Sequence, residues 1–153
     1  MGERDSQAAA ERTVGCPFCD IIDGRDTSVE IIERAAEWLA FFPDTPATRG
    51  HTLVVPTQHV QHFWALDERT ASVLTGASIR LGCAIEQALQ PQGMNLITSR
   101  GGAAEQTIPH VHLHVVPRWE SDALDEIWPP RREMDLAVMR DVAQRVRSAL
   151  LAI

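Results

Sequence analysis

The amino-acid sequence predicts an α+β fold of about five antiparallel strands with one long helix and one C-terminal helix. Short β-branched runs bounded by Gly and Pro recur along the chain, which is typical of strands. Residues 67–89 repeat apolar side chains at helical spacing, and a second amphipathic stretch lies near the chain end. These two patterns together favour a sheet with helices packed against it.

Three strands are expected in the first half of the chain. Residues 29–33 and 37–42 predict a hairpin, since each run is rich in strand-forming side chains and a short turn separates them. Residues 51–55 predict the third strand, which should stop at Pro56 because proline donates no ladder hydrogen bond.

The second half predicts the long helix, two further strands and the closing helix. Asp67 can cap the long helix, and Pro91 and Gly93 should end it. Residues 94–99 and 111–117 predict strands four and five. The apolar stripe of the C-terminal helix comprises Met139, Val142, Val146 and Leu150.

With 153 residues the chain fits one domain with a sizeable core. We expect residues 1–14 to be a disordered tail and residues 15–119 to form the domain. Residues 120–153 should form an extension whose helix packs on the same domain. Cys83 falls near the apolar stripe of the long helix, so we expect it in the core.

Charge and composition exclude several classes of protein. The net charge of −7 argues against nucleic-acid binding, which needs a basic face. No apolar run approaches the roughly 20 residues that span a bilayer, and the N-terminus lacks a secretory pattern. We therefore expect a cytoplasmic protein without a membrane partner. Three cysteines make no disulfide framework.

Three histidines alternate along the fifth strand. His110, His112 and His114 should project from one face, because strand side chains alternate with a period of two. Such a face could be merely polar, could bind a metal, or could carry a nucleophile. In the last case, an imidazole with one nitrogen hydrogen-bonded offers the other as a lone pair to phosphorus.

Four blocks of sequence resemble those of the histidine-triad (HIT) superfamily, in the family's order. The alternating histidines after Gln106-Thr107 resemble its signature, and Cys16-Pro17-Phe18-Cys19 resembles its opening. Phe42-Pro43-Asp44 and the Gly50–His59 run resemble two further blocks. The resemblance spans about residues 16–119 and implies a HIT-like fold.

The resemblance implies a role for each of several side chains. His112 would be the nucleophile, and His114 would bind the phosphate and assist the leaving group. Gln106 and Thr107 would hydrogen-bond the phosphate and leaving-group oxygens, and His51 would orient the triad.

The resemblance also implies a nucleotide site. Asp44 would accept hydrogen bonds from the ribose hydroxyls, and Ser99 stands where one branch of the family carries an Asn near the phosphate. The base would lie in an apolar slot made by Phe18, Ile21, Phe42 and Leu53. Glu105 departs from the Gly that usually precedes the Gln of the signature.

By this resemblance the chain is a hydrolase that cleaves at the α-phosphate of adenosine nucleotide conjugates through a nucleotidyl-histidine. The conjugate could be a phosphoramidate or a dinucleoside polyphosphate. Two alternatives remain: a phosphorylase or nucleotidyltransferase with the same intermediate, and a non-catalytic nucleotide-binding module. The partner is a small nucleotide such as AMP or its conjugate, and family members are commonly homodimers.

Cys16 and Cys19 have the spacing of half a zinc site, although a free thiol pair or a redox pair has the same spacing. In family members with this motif the remaining ligands correspond to His59 and His110. The resemblance thus implies a structural zinc, while the chemistry itself needs no metal.

Overall fold

The computed structural model describes residues 15–124, 127–128, 133 and 135–152. The tail predicted for residues 1–14 lies outside the described residues. The helices and strands in chain order are α1 (Pro17–Ile22), β1 (Ile31–Arg34), β2 (Trp38–Phe41), β3 (Thr52–Pro56), α2 (Glu68–Leu89), β4 (Gly93–Ile97), β5 (Leu113–Arg118) and α3 (Leu136–Leu150). Single turns of 3₁₀ helix span Phe63–Ala65 and Gly102–Ala104.

The five strands form one antiparallel sheet, which confirms the predicted fold class. The strand order is β1-β2-β3-β5-β4, so β5 lies between β3 and β4, and β4 is an edge strand. Leu53 pairs with His114, and His114 also pairs with Ile97 on the other side. The histidine segment therefore enters the middle of the sheet rather than its edge.

Each face of the sheet is covered by a different helix. Leu74 and Leu81 of α2 pack with Val54, Leu113 and Val115 on one face. On the other face, α1 and the strands form a second cluster together. Its members are Cys16, Phe18, Cys19, Ile21, Ile22, Leu39, Phe41, Leu53 and Val55. Since strand side chains alternate, β5 points Leu113 and Val115 at α2 and His114 at the α1 face.

Two strand boundaries differ from the prediction, and local hydrogen bonding accounts for both differences. Pro56 is included in β3, where it pairs with Trp38 at the end of the ladder, a position that tolerates the missing donor. The assigned β5 begins at Leu113 rather than residue 111, because the Val111 amide donates to Val60 O instead of to the ladder.

Helix α2 begins after Asp67, whose carboxylate accepts a 2.8 Å hydrogen bond from the Thr70 amide, as the capping pattern predicted. The expectation for Cys83 was wrong, since its side chain is exposed. The buried stripe of α2 contains Leu74, Ala77 and Leu81. Two residues after Leu81, Cys83 is rotated about 200° around the helix axis and therefore faces solvent.

Helix α3 carries the predicted apolar stripe, but none of its residues is buried. Along this stripe Met139 and Val142 are each 47% exposed. The packing of α3 onto the domain stays a prediction. No helix in the described part of the chain is long and apolar enough to cross a membrane.

Candidate active site and metal site

His51 and His114 form a chain of hydrogen bonds whose direction is set by a main-chain amide. The Ala47 N–H donates to His51 Nδ1 at 3.0 Å, so this nitrogen must be the acceptor. The Nε2 of neutral His51 therefore carries the proton and donates a hydrogen bond of 2.9 Å to His114 Nδ1. By the same reasoning the proton of neutral His114 is on Nε2. His114 thus presents a hydrogen-bond donor.

His112 is held in the opposite tautomer to His114. Its Nδ1 lies 2.8 Å from His110 O, and since a carbonyl can only accept, Nδ1 carries the proton. The Nε2 of His112 is thereby left as an unprotonated lone pair. Thr98 Oγ1 donates to the His112 carbonyl at 3.1 Å and ties this residue to the chain that follows β4. The His112 and His114 rings lie 4.7 Å apart between centroids.

Burial keeps these imidazoles neutral. His112 is 8% exposed, and desolvation lowers its pKa, although the hydrogen bond to His110 O acts against this. Desolvation together with repulsion from His112 and His51 lowers the pKa of His114 to about 4. Desolvation and His112 also lower the pKa of His51. A neutral ring is the form in which His112 can act as a nucleophile.

The predicted base slot adjoins this histidine cluster. Phe18 makes an edge-to-face contact with His112, with centroids 5.2 Å apart. Phe18, Ile21 and Leu53 are almost fully buried in the α1 cluster, while Phe42 is only half-buried. Asp44 is exposed in the loop before β3. The nucleotide-binding roles of these residues stay predictions.

The residues predicted to contact the phosphate, Gln106, Thr107 and Ser99, differ in their hydrogen bonding and exposure. The Gln106 amide binds three main-chain groups: it donates to Gln61 O at 2.7 Å and to Ile108 O, and accepts from the Gly101 amide. Gln106 therefore fastens its own loop, and a phosphate contact from its amide nitrogen would have to replace one of these bonds. Thr107 is exposed and Ser99 half-buried.

The four predicted metal ligands lie together. One donor atom from each of Cys16, Cys19, His59 and His110 lies within 4.8 Å of every other. The sulfur–nitrogen distances are 3.5 Å for Cys16 to His110, 3.6 Å for Cys19 to His110, and 3.4 Å for Cys19 to His59. In a tetrahedral zinc site with two thiolates and two imidazoles, the distance between a sulfur ligand and a nitrogen ligand is about 3.5 Å.

The orientation of His110 also fits a metal. Its Nε2 lies 3.0 Å from Pro56 O and so carries the proton, while the unprotonated Nδ1 faces both sulfur atoms. A main-chain carbonyl that fixes the tautomer of a ligating histidine is usual in metal sites. These four residues could therefore hold a metal ion.

Motif reasoning found the histidines but missed the groups that orient them. Ala47 acts through its amide and Thr98 through a hydroxyl, and neither residue belongs to a recognisable pattern. Backbone donors leave no signal in the sequence of side chains.

The fold and the histidine cluster define an α+β protein with neutral, buried imidazoles on the α1 face of an antiparallel sheet. The chain belongs to the HIT family: the model of the HIT domain matches residues 26–121.

Among curated relatives, adenosine 5′-monophosphoramidase of Schizosaccharomyces pombe is 32% identical over 118 residues, which cover 76% of this chain and 84% of the relative. An adenylylsulfatase of Arabidopsis thaliana is 32% identical over 112 residues, which cover 71% of this chain and 55% of that protein.

Solved structures support the same fold. A HIT family protein from Bacillus anthracis is 31% identical with a TM-score of 0.80, covering 90% of this chain and 99% of its own. A Zn-bound histidine triad family protein from Mycobacterium smegmatis is 33% identical with a TM-score of 0.67, covering 88% and 97%.

The lowered pKa of His114 predicts an acid-dependent loss of stability. Between about pH 6.5 and pH 4, His114 takes up a proton in the unfolded chain but not in the folded one. The free energy of unfolding should therefore fall as the pH falls through this window. In His114→Asn this decrease should be smaller, as measured by urea unfolding at pH 7.5 and pH 5. Parallel decreases in the two proteins would contradict the assignment.

Proposed function

We propose that this protein is a hydrolase that cleaves adenosine nucleotide conjugates at the α-phosphate, with His112 as the nucleophile. The observation that carries the proposal is the hydrogen bond from His112 Nδ1 to His110 O, because it leaves Nε2 as a free lone pair on a neutral ring. The family and the relatives named as a monophosphoramidase and an adenylylsulfatase support a hydrolase of this class.

The proposed reaction has two displacements at phosphorus. His112 Nε2 forms a bond to the α-phosphorus while the bond to the leaving group breaks. An amine leaving group takes a proton on nitrogen, and the Nε2–H of His114 is the donor nearest to His112 in the hydrogen-bonded chain. Water then attacks phosphorus, the P–N bond to His112 breaks and AMP is released. The proton that the water loses returns to Nε2 of His114, which restores the starting state.

His112→Ala should lower the turnover of adenosine 5′-phosphoramidate by at least about 10³-fold, because it removes the nucleophile. AMP release by chromatography measures this loss, and retained AMP affinity shows that the site is intact. Cys83→Ser, on the exposed face of α2, serves as the control for handling and purification.

An adenylyl group on wild-type His112, found by mass spectrometry after denaturation in alkali, would support the covalent intermediate. Turnover by His112→Ala at the wild-type rate would refute the proposal. ADP formed only when inorganic phosphate is added would favour the phosphorylase alternative. Glu105, which is exposed and directly precedes Gln106, favours the non-catalytic alternative, in which AMP binds but no conjugate is cleaved.

We also propose that the cluster of Cys16, Cys19, His59 and His110 holds a structural zinc ion. Two sulfur and two nitrogen donors at tetrahedral edge distances suit zinc, and the cluster is closed by protein ligands alone. Such an ion would join α1 to the segment that carries His112. It takes no part in the displacement steps.

The purified protein should contain close to one zinc ion per chain, as measured by plasma mass spectrometry. Cys19→Ser should lose most of this zinc, because it removes one of the four donors. Cys83→Ser makes the same chemical change at an exposed helix position outside the cluster and should keep the metal. Equal zinc contents in the two variants would rule out the site.

We further propose that the chain forms a homodimer through the β4 edge and the adjacent face of α2. An edge strand offers unpaired main-chain groups, and apolar side chains near it are exposed. Leu96 is 55% exposed and Ile79 is 63% exposed. A second copy would cover both.

The paired substitution Ile79→Glu with Leu96→Glu should shift the protein from dimer to monomer in light scattering, because it would place charges in the interface. Trp64→Glu changes another exposed apolar residue, which lies in the 3₁₀ turn before α2 and outside the proposed interface, and should leave the dimer intact. A monomeric wild-type protein would contradict this proposal.

A further inference from the structure

The two thiols of the metal-ligand cluster (Cys16, Cys19, His59 and His110) lie close enough together to form a disulfide. Cys16 directly precedes α1, and Cys19 lies in its first turn. Their sulfur atoms lie 3.5 and 3.6 Å from the same nitrogen, His110 Nδ1, and within 4.8 Å of each other. A disulfide holds its sulfur atoms about 2 Å apart, so a short movement of the side chains brings these two into bonding range. The Cys-x-x-Cys spacing is also that of the redox-active pair in disulfide oxidoreductases.

A cavity of about 480 Å³ borders the cluster on one side. Cys16 and His59 line this cavity, whereas Cys19 and His110 do not line it and are both 0% exposed. Because a water molecule occupies about 30 Å³ in the liquid, the cavity has ample room for a small oxidant. A molecule that enters the cavity therefore meets Cys16 before it meets Cys19.

Metal binding would make the thiols of the cluster selectively reactive. The thiolate is the form of cysteine that attacks an oxidant, and a thiol that coordinates a metal is deprotonated. Cys83 lies outside the cluster, on the helix α2 that covers the opposite face of the sheet, and gains no such activation. Oxidation by a small peroxide should therefore be directed to Cys16 and Cys19 rather than to the exposed cysteine.

His110 connects the cluster to the proposed nucleophile. Its ring turns Nδ1 toward both sulfur atoms, while its main-chain carbonyl accepts the 2.8 Å hydrogen bond from His112 Nδ1. The Val111 amide donates at 2.7 Å to the carbonyl of Val60, which directly follows the ligand His59. A change in how the cluster holds these two histidines therefore reaches the carbonyl that fixes the tautomer of His112.

We propose that Cys16 is a site of oxidation by peroxides, and that its disulfide with Cys19 releases the metal ion and slows turnover. The inference rests on the proposed zinc site, and its effect on turnover rests on the proposed function. Cys16 reacts first because it lines the cavity, and Cys19 completes the reaction because its sulfur lies beside that of Cys16.

The oxidation has two steps. The Cys16 thiolate attacks one oxygen of hydrogen peroxide, the O–O bond breaks, and the departing hydroxide takes a proton from solvent to form water. The Cys19 thiolate then attacks the sulfur of the resulting sulfenic acid, the S–O bond breaks, and the second hydroxide is protonated in the same way. Two electrons have passed from sulfur to the peroxide. Only His59 and His110 then remain as donors, whereas structural zinc needs four.

Zinc release is the direct test. The full-length, zinc-loaded protein should release its zinc when a molar excess of hydrogen peroxide is added, as measured by the absorbance of the chelating dye pyridylazoresorcinol. Peptide mass spectrometry should find Cys16 joined to Cys19. Cys83→Ser keeps both thiols of the cluster and should release zinc at the wild-type rate. Dithiothreitol followed by zinc should restore the starting metal content, because a thiol reverses the disulfide by exchange.

Turnover tests the connection to His112. Hydrolysis of adenosine 5′-phosphoramidate by the oxidised protein should be about tenfold slower, the size of loss expected when the group that orients a functional histidine is disturbed. Reduction and reloading with zinc should restore the rate. Release of zinc with an unchanged rate would overturn this connection.

The remaining outcomes separate the inference from the proposed function. If untreated protein cleaves the phosphoramidate but keeps its zinc in excess peroxide, with Cys16 and Cys19 still reduced, the inference is wrong and hydrolysis stands. If peroxide forms the disulfide and releases zinc from a protein that cleaves no conjugate, hydrolysis is wrong and the oxidation site stands. Protein purified without zinc would overturn the inference together with the metal site, while His112→Ala still tests hydrolysis.

Discussion

Main-chain groups decide which nitrogen of each buried imidazole carries its proton, and the chemistry of the site depends on this. The Ala47 amide makes His51 Nδ1 an acceptor, and the His110 carbonyl makes His112 Nδ1 a donor. Neighbouring histidines of one sequence motif therefore present opposite functions, a lone pair on His112 and an N–H on His114. Because the carbonyl and amide are part of the fold, these assignments cannot change without moving the backbone.

Both faces of the sheet are packed by buried apolar side chains, but only one of them carries the histidines. On one face α2 packs large aliphatic side chains against β3 and β5. On the other, Phe18 of α1 contacts His112 directly, and burial lowers the pKa values of His112 and His114. Since a strand alternates its side chains, β5 can serve both faces at once.

Periodicity predicted the sheet and local pattern predicted the cap of α2 by Asp67, while the resemblance to the HIT superfamily implied that Cys16, Cys19, His59 and His110 meet. The exposure of Cys83 was missed although helix geometry contains it, since Cys83 lies about 200° around the helix axis from Leu81. The hydrogen bonds of the Gln106 amide were beyond prediction. They join the connection between β3 and α2 to the connection between β4 and β5, and the main-chain groups that they use leave no signal in the side-chain pattern.

The metal-ligand cluster joins parts of the chain that are far apart in sequence, since Cys16 and His110 are separated by 94 positions. Closing a loop of this length costs the unfolded chain entropy, and formation of the sheet removes this cost by bringing the donors together. Ion capture would then be a late event in folding. The bound ion would hold α1 against the folded sheet. A chelator would therefore loosen α1 from the strands before it affected the packing of α2 on the opposite face.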